Sequence, residues 1–395
     1  MIKLPLNSSI KLINKSFISK FSTNARLNVY NFKVLPTSGN KLELFQSPVP
    51  KSILNLDSNI IQDWKFGLSH VQTVIKGKVY GWGNNDYGQV GPVNTSFSTG
   101  LNVDDNDEFI ETPFLCPSLE QLETKQVASG YYHNYSLTTD GTLMSWGAGI
   151  LGRGSEIYDP NPQKVTFFEE IQTKINQIYA TGNYSLASVS PLQNPDRQLI
   201  YGWGYLPSLT ANPNYKAIHP ILIKPPNFSS QNEIKVSIQE NGFWISTKEP
   251  NSTKWDLHWF GKSSPELTLE RPYYPTYDET SDAITSLSWS PELELSIGID
   301  VLDKVHLIEN IIVTKNGSDE LIFYNATTKN QLEGMKISKV KDWGYLGSDL
   351  LVVFSLENEL QLYSIKGEEL SLVDEKLILS RVGSVECQHG QVLLK

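Results

Sequence analysis

The chain has 395 residues, 39% of them hydrophobic and 11% aromatic, with nine Trp, 27 Gly and 21 Pro. This is enough apolar material for a large core, and no stretch holds a persistent 3.6-residue apolar period, so strands and turns are favoured over helices. A formal net charge of −10 argues against non-specific binding to DNA or RNA, and two distant cysteines, Cys116 and Cys387, support neither a disulfide framework nor a zinc site.

The charge is unevenly spread from the first residues on. Residues 1–42 contain no acidic residue, Glu43 being the first, while residues 1–26 hold Lys3, Lys11, Lys15, Lys20 and Arg26, so their removal would take the remainder from −10 to −15. Leu6, Ile10, Ile13, Phe17 and Phe21 fall on one side of a helix, with Lys11 and Lys15 towards the other. Basic, Ser-rich and free of acid, residues 1–26 are expected to be a mitochondrial transit peptide, and residues 27–395 a single domain. A disordered basic arm, or a helix resting on a membrane surface, are the competing readings. No apolar run approaches the roughly 18 residues needed to span a bilayer; "LLVVFSL" near residue 353 is a buried-strand candidate.

Further along, "VYGWGNNDYGQVG" at 79–91 has echoes in "LMSWGAGILGRG" at 143–154 and "LIYGWGYLPSLT" at 199–210. Trp82-Gly83, Trp146-Gly147 and Trp203-Gly204 mark an internal repeat. Upstream of the first two lie Gly67-x-x-His70 and Gly130-x-x-His133, then Gly77 and Gly141 at tight turns, so the unit reads as a β-hairpin with flanking strands. Weaker copies bring Phe260-Gly261 to the Trp-Gly position, and stretches at 287–309 and 343–365 keep only the hairpin rhythm. "VGSVECQHGQVLLK" at 382–395 reads as the start of a unit, whereas "NVYNFK" at 28–33 reads as an end with no beginning. Joining 382–395 to 28–45 completes a unit and predicts an all-β, seven-bladed propeller whose N- and C-terminal strands share one blade, which hides the sheet edges.

These motifs resemble the repeats of the regulator of chromosome condensation family, which use a Gly-x-x-His, Asp-Gly, Trp-Gly, Gly-Gln-Leu-Gly pattern; Val90 stands here for the Leu. The resemblance is strong over residues 60–154, moderate over 175–261, and a matter of rhythm beyond 283. It implies a scaffold in which Gly67 and Gly130 let backbones crowd near the axis, Trp82, Trp146 and Trp203 fill wedges between blades, and Gly88 and Gly152 occupy turns. Read instead as a phosphate cradle, "GWGNNDYG" lacks a following helix pattern and a Lys-Ser/Thr pair.

No enzyme signature is present. His70 and His133 share a repeat position and are expected to bond a neighbouring blade's backbone; the other histidines have no metal-binding spacing, and no nucleophile elbow supports a triad. No catalytic, cofactor-binding or metal-ligating residue is assigned. Candidate partner-binding residues lie in two non-repeating stretches. Asp104, Asp105, Asp107 and Glu108 form an acidic run suited to a basic protein; calcium is the lesser reading because the glycine and closing ligand of an EF-hand loop are absent. Arg271, Tyr273, Tyr274 and Tyr277 sit between prolines as interface anchors. The alternatives are a solvated loop and the cover of a blade edge.

From the leader and the resemblance together, the chain is expected to be a non-enzymatic, monomeric assembly or maturation factor of the mitochondrial matrix. Its partners would be proteins, among them a GTPase or ribosomal and respiratory-complex components, with no direct DNA binding. The resemblance also implies two alternatives: guanine-nucleotide exchange on a small GTPase, and a cytoplasmic role in tRNA modification and diphthamide synthesis. A nuclear location is a further alternative.

Overall fold

In a computed structural model of the chain, the described residues are 29–34, 42–45, 61–92, 109–206, 216–224, 231–261, 286–288, 293–347, 349–377, 385–388 and 391–394. The expected transit peptide lies outside them. Short apolar runs broken by Gly, Asn and Asp turns fold into antiparallel sheets that follow one another along the chain. Sheet one holds Ile61–Phe66, His70–Ile75, Lys78–Asn84 and Phe109–Leu115. Sheet two holds Thr124–Ser129, His133–Thr138, Leu143–Ile150 and Glu156–Lys164, and sheet three Thr173–Thr181, Tyr184–Pro191, Leu199–Gly204 and Ala217–Lys224. Sheet four holds Glu233–Gln239, Gly242–Lys248, Trp255–Gly261 and Leu293–Ile297. Sheet five follows with Val305–Ile308, Ile311–Lys315, Leu321–Asn325 and Gln331–Ile337, and sheet six with Val340–Gly347, Leu350–Ser355, Glu359–Lys366 and Glu369–Leu377.

The closing sheet joins the two ends. Val385–Gln388 and Gln391–Leu394 form a hairpin, Val29–Val34 pairs with it through Val29↔Leu393 and Tyr30↔Val392, and Leu42–Phe45 covers the outside. The shared sheet is the one the sequence predicts. The first strands of all these sheets line one channel, so the architecture is a β-propeller.

The stretch at 287–309 is not the hairpin unit its rhythm suggests. Ser286–Ser288 adds in parallel to the outer edge of sheet three, Leu293–Ile297 pairs back onto Trp255–Gly261 as the last strand of sheet four, and Val305–Ile308 opens sheet five. The long insertion after Gly261 separates sheet four from its own outer strand, which shifts every later unit in the sequence.

Each Trp-Gly strand is the third of its sheet, and the glycine there has a double cause. Gly83, Gly147 and Gly204 have φ of +104°, +98° and +93°, and a Cβ on them would lie 2.6, 2.2 and 2.4 Å from the carbonyl oxygens of Ser69, Tyr132 and Asn183. No L side chain fits both conditions. The tryptophans fill the expected wedges. Trp146, fully buried, donates Nε1–H to the Gln89 carbonyl of sheet one at 3.1 Å, and Trp203 donates to Tyr135 Oη of sheet two at 2.8 Å. A Cβ on Gly67 or Gly130 would meet the imidazole of His70 at 1.8 Å or of His133 at 2.2 Å, so each glycine makes room for its own histidine; at Gly130 the Gly182 carbonyl oxygen of the next sheet also comes within 2.8 Å, the backbone crowding expected there.

Neighbouring first strands share no ladder, so their backbone groups need other partners. Side chains supply them. Asp63 accepts from Val127 N at 2.8 Å; Gln126 donates to Ile178 O at 2.9 Å and accepts from Ile178 N at 3.1 Å. Gln239 repeats the device on Leu307, at 3.0 and 2.8 Å, and Lys304 donates to Trp343 O at 2.5 Å and to Asp342 at 2.7 Å.

Candidate interaction face and central channel

The channel encloses about 710 Å³ and is lined by Gln126, Tyr179, Gln239, Lys304, His306, Tyr345 and Cys387 among others. Much of its polarity is already used. Gln126, Gln239 and Lys304 are the side chains that tie sheet to sheet, and Tyr179 donates to Gln177. His306 stands edge-on to Trp343, ring centroids 5.1 Å apart, and its Nδ1 has no hydrogen-bond partner among the described residues. Burial, with Lys304 beside it, pushes its pKa down to about 3. At neutral pH it is an uncharged imidazole, a poor proton acceptor there.

His70 and His133 are structural, as their repeat position suggests, but their partners are side chains. His70 Nε2 lies 2.8 Å from Asn134 Oδ1 and His133 Nε2 lies 3.2 Å from Ser185 Oγ, each across to the next sheet. Asn134 and Ser185 pair with Trp146 and Trp203, so one register position receives the histidine from the preceding sheet in both cases. Cys116 is buried, and desolvation pushes its thiol up to about 12, which leaves it unreactive near neutrality.

Strand direction alternates within each sheet, so the loops after the first and third strands emerge on one face. On this face the first loops of successive sheets stand side by side: Leu68 N donates to Tyr131 O at 3.4 Å and Tyr131 N to Gly182 O at 2.7 Å. The connections that leave Asn84 and Gly261 start from the same face, and these carry the two stretches singled out in the sequence. Asp104, Asp105, Asp107, Glu108, Arg271, Tyr273, Tyr274 and Tyr277 themselves lie outside the described residues.

Sequence reasoning missed the mouth of the channel on this face. Tyr131 hydrogen-bonds Glu240, which belongs to a loop two sheets further on. Burial and then the Glu240 charge raise the Tyr131 pKa to about 12, and burial followed by Glu240, Asp349 and Glu309 raises Tyr345, on sheet six, to the same level. Glu240 is therefore felt on both sides of the mouth. Tyr87 extends the aromatic surface, its ring 4.6 Å from that of Tyr132. The signal was present in "GYYH", where the two tyrosines between Gly130 and His133 served only as spacing.

Comparison with known proteins comes to the same architecture. A regulator of chromosome condensation (RCC1) repeat model matches residues 76–137, and a second model of that repeat matches 124–152. The chain is 31% identical over 163 residues to the ultraviolet-B receptor UVR8 of Arabidopsis thaliana, covering 40% of this chain and 32% of that protein. It is 27% identical over 163 residues to the human E3 ubiquitin-protein ligase HERC2, covering 40% of this chain and 3% of that one. It thus spans a third or less of the length of these relatives. Among solved structures, human WBSCR16 superimposes with a TM-score of 0.59 at 15% identity, covering 94% of this chain and 99% of the other. Prp20p of Saccharomyces cerevisiae, described as binding Gsp1p and histones, gives 0.58 at 13% identity, covering 98% and 95%. At such identities the likeness is one of fold.

Proposed function

Taking as premise that the chain is a β-propeller carrying RCC1 repeats, we propose that it is a non-enzymatic protein-binding scaffold which serves as an assembly or maturation factor in mitochondria. The observation that supports this reading most is the loop face, where exposed Tyr87 packs on Tyr132 and the strands that lead into the long non-repeating connections end, while inward polar side chains tie sheet to sheet. The basic, acid-free residues 1–26 support the location. Affinity purification with mass spectrometry from fractionated cells tests both parts. Matrix proteins co-purifying with a chain shortened by its leader are the expected result; an uncleaved chain in the cytosol, or no partner above control, would overturn it.

Nucleotide exchange on a small GTPase is the second reading, favoured by the fold-level likeness to Prp20p, which is described as binding Gsp1p. Accelerated release of labelled guanine nucleotide by the purified chain would promote it over passive docking. Unchanged release across candidate GTPases would dismiss it.

A further inference from the structure

We propose that the channel mouth on the loop face is a docking surface for a polypeptide segment that presents a lysine or arginine beside apolar residues. This deepens the scaffold reading and rests on it. The surface is built from Leu68, Tyr87, Tyr131, Tyr132, Glu240 and Tyr345, contributed by sheets one, two, four and six and their loops.

Two properties select the occupant. The first is apolar area open to solvent: Leu68 is 42% exposed and Tyr87 45%, and the Tyr87 ring rests on Tyr132, which itself lies 6.3 Å from Tyr131. A small cation would leave this area uncovered, whereas a chain segment with apolar side chains would bury it. The second is charge. Glu240 and Glu309 are exposed at the mouth with Asp349 near by, and their field reaches Tyr345 across the channel. The lysines of the channel do not offset them, because Lys65 lies 3.6 Å from Asp63 and Lys304 2.7 Å from Asp342. A polyanion would be repelled, while a cationic side chain would find carboxylates and the faces of tyrosine rings together. The same face already holds one such arrangement within the chain: Lys216 is ion-paired with Glu156 and stands 6.0 Å from the centre of the Tyr205 ring.

The test is fluorescence anisotropy with the full chain and a labelled peptide of repeated Lys-Leu-Gly, against the same peptide with acetylated lysines and one with Glu in their place. The lysine peptide should bind, the other two should not, and Glu240→Lys should weaken binding about tenfold in a chain whose circular dichroism stays that of the folded wild type. Tyr87→Ser, at a ring nearly half exposed, should weaken it about threefold and serves as the decisive variant if Glu240→Lys does not fold. Equal binding of the acetylated or acidic peptide, or wild-type affinity in the folded variants, overturns the proposal. Cellular partners that co-purify equally with wild type and Glu240→Lys would overturn the mouth and leave the scaffold reading intact; the absence of any partner would sink the scaffold reading whatever the peptide does.

Discussion

Sheets one to three and sheets five and six share one topology but differ in how much buried hydrogen bonding and how many glycines they use. In the first region the sheets meet through apolar clusters and, within them, through buried polar groups. The Gln89 carbonyl alone accepts from Gln72 Nε2 at 2.8 Å, Asn134 Nδ2 at 2.7 Å and Trp146 Nε1 at 3.1 Å. The left-handed backbone positions there are mostly glycines, Gly77, Gly83, Gly88, Gly141, Gly147 and Gly204 among them. In the second region an apolar cluster of Ile308, Ile311, Val313, Phe323, Met335, Val340, Trp343 and Leu351 fills the contact, with Lys304 bridging to Asp342 and the Trp343 carbonyl, and the left-handed positions are mostly residues with side chains, Glu309, Asp319, Lys329, Lys339 and Asn358, beside Gly367. A hydrogen-bond network accepts few substitutions, whereas an apolar contact accepts any set of side chains with about the right volume. The family models match residues 76–152, within the first region, although the architecture continues well beyond them.

The sharpest way to break this comparison is to add one methyl group in each region. Gly147→Ala places a Cβ 2.2 Å from the Tyr132 carbonyl oxygen at φ +98°, and should cost about 3 kcal/mol or more. Gly334→Ala, in the last strand of sheet five, meets nothing within 4 Å and should be neutral or slightly stabilising, because a strand glycine carries an entropic cost that alanine avoids. Urea midpoints of the two variants measure the difference. Equal midpoints would show that glycine in the first region is a matter of ancestry, with no steric demand behind it.

A second, smaller effect comes from acid. His306 in the second region has a folded pKa of about 3, well below the ~6.5 of an unfolded chain. Between these values the unfolded state binds a proton that the native state does not, so stability is lost as pH falls below about 6.5. At pH 5 this amounts to about 2 kcal/mol. His306→Leu removes the titration, and the loss of stability between pH 7 and pH 5 should shrink by about that amount in paired denaturation curves. A variant as acid-sensitive as wild type would place the titrating group elsewhere.

What the sequence revealed follows the same division. Trp82, Trp146 and Trp203 with their glycines could be read because steric and hydrogen-bond demands leave no other residue there, and they locate sheets one to three strand by strand. The shared closing sheet was legible because "NVYNFK" lacked a first half and "VGSVECQHGQVLLK" a second. Sheet five was not, since Val305–Ile308 and Ile311–Lys315 carry no obligatory residue and the insertion after Gly261 breaks the spacing. The mouth was illegible for another reason. Tyr131, Glu240 and Tyr345 are each more than a hundred residues from the others, and only closure of the ring brings them together.

The gentlest test replaces a residue in the second region with the one the first region uses. Lys329 holds φ +62° in an exposed turn after Leu321–Asn325, and its amide donates to Asn325 O at 2.8 Å. Left-handed backbone costs a residue with a side chain about 1–2 kcal/mol, and glycine gives back part of that relief as extra freedom in the unfolded chain. Lys329→Gly should therefore raise stability by about 0.5–1 kcal/mol, read as a higher urea midpoint with unchanged slope. A lowered midpoint would mean that the lysine side chain stabilises the turn through contacts of its own, and that the two regions differ in more than their tolerance of strain.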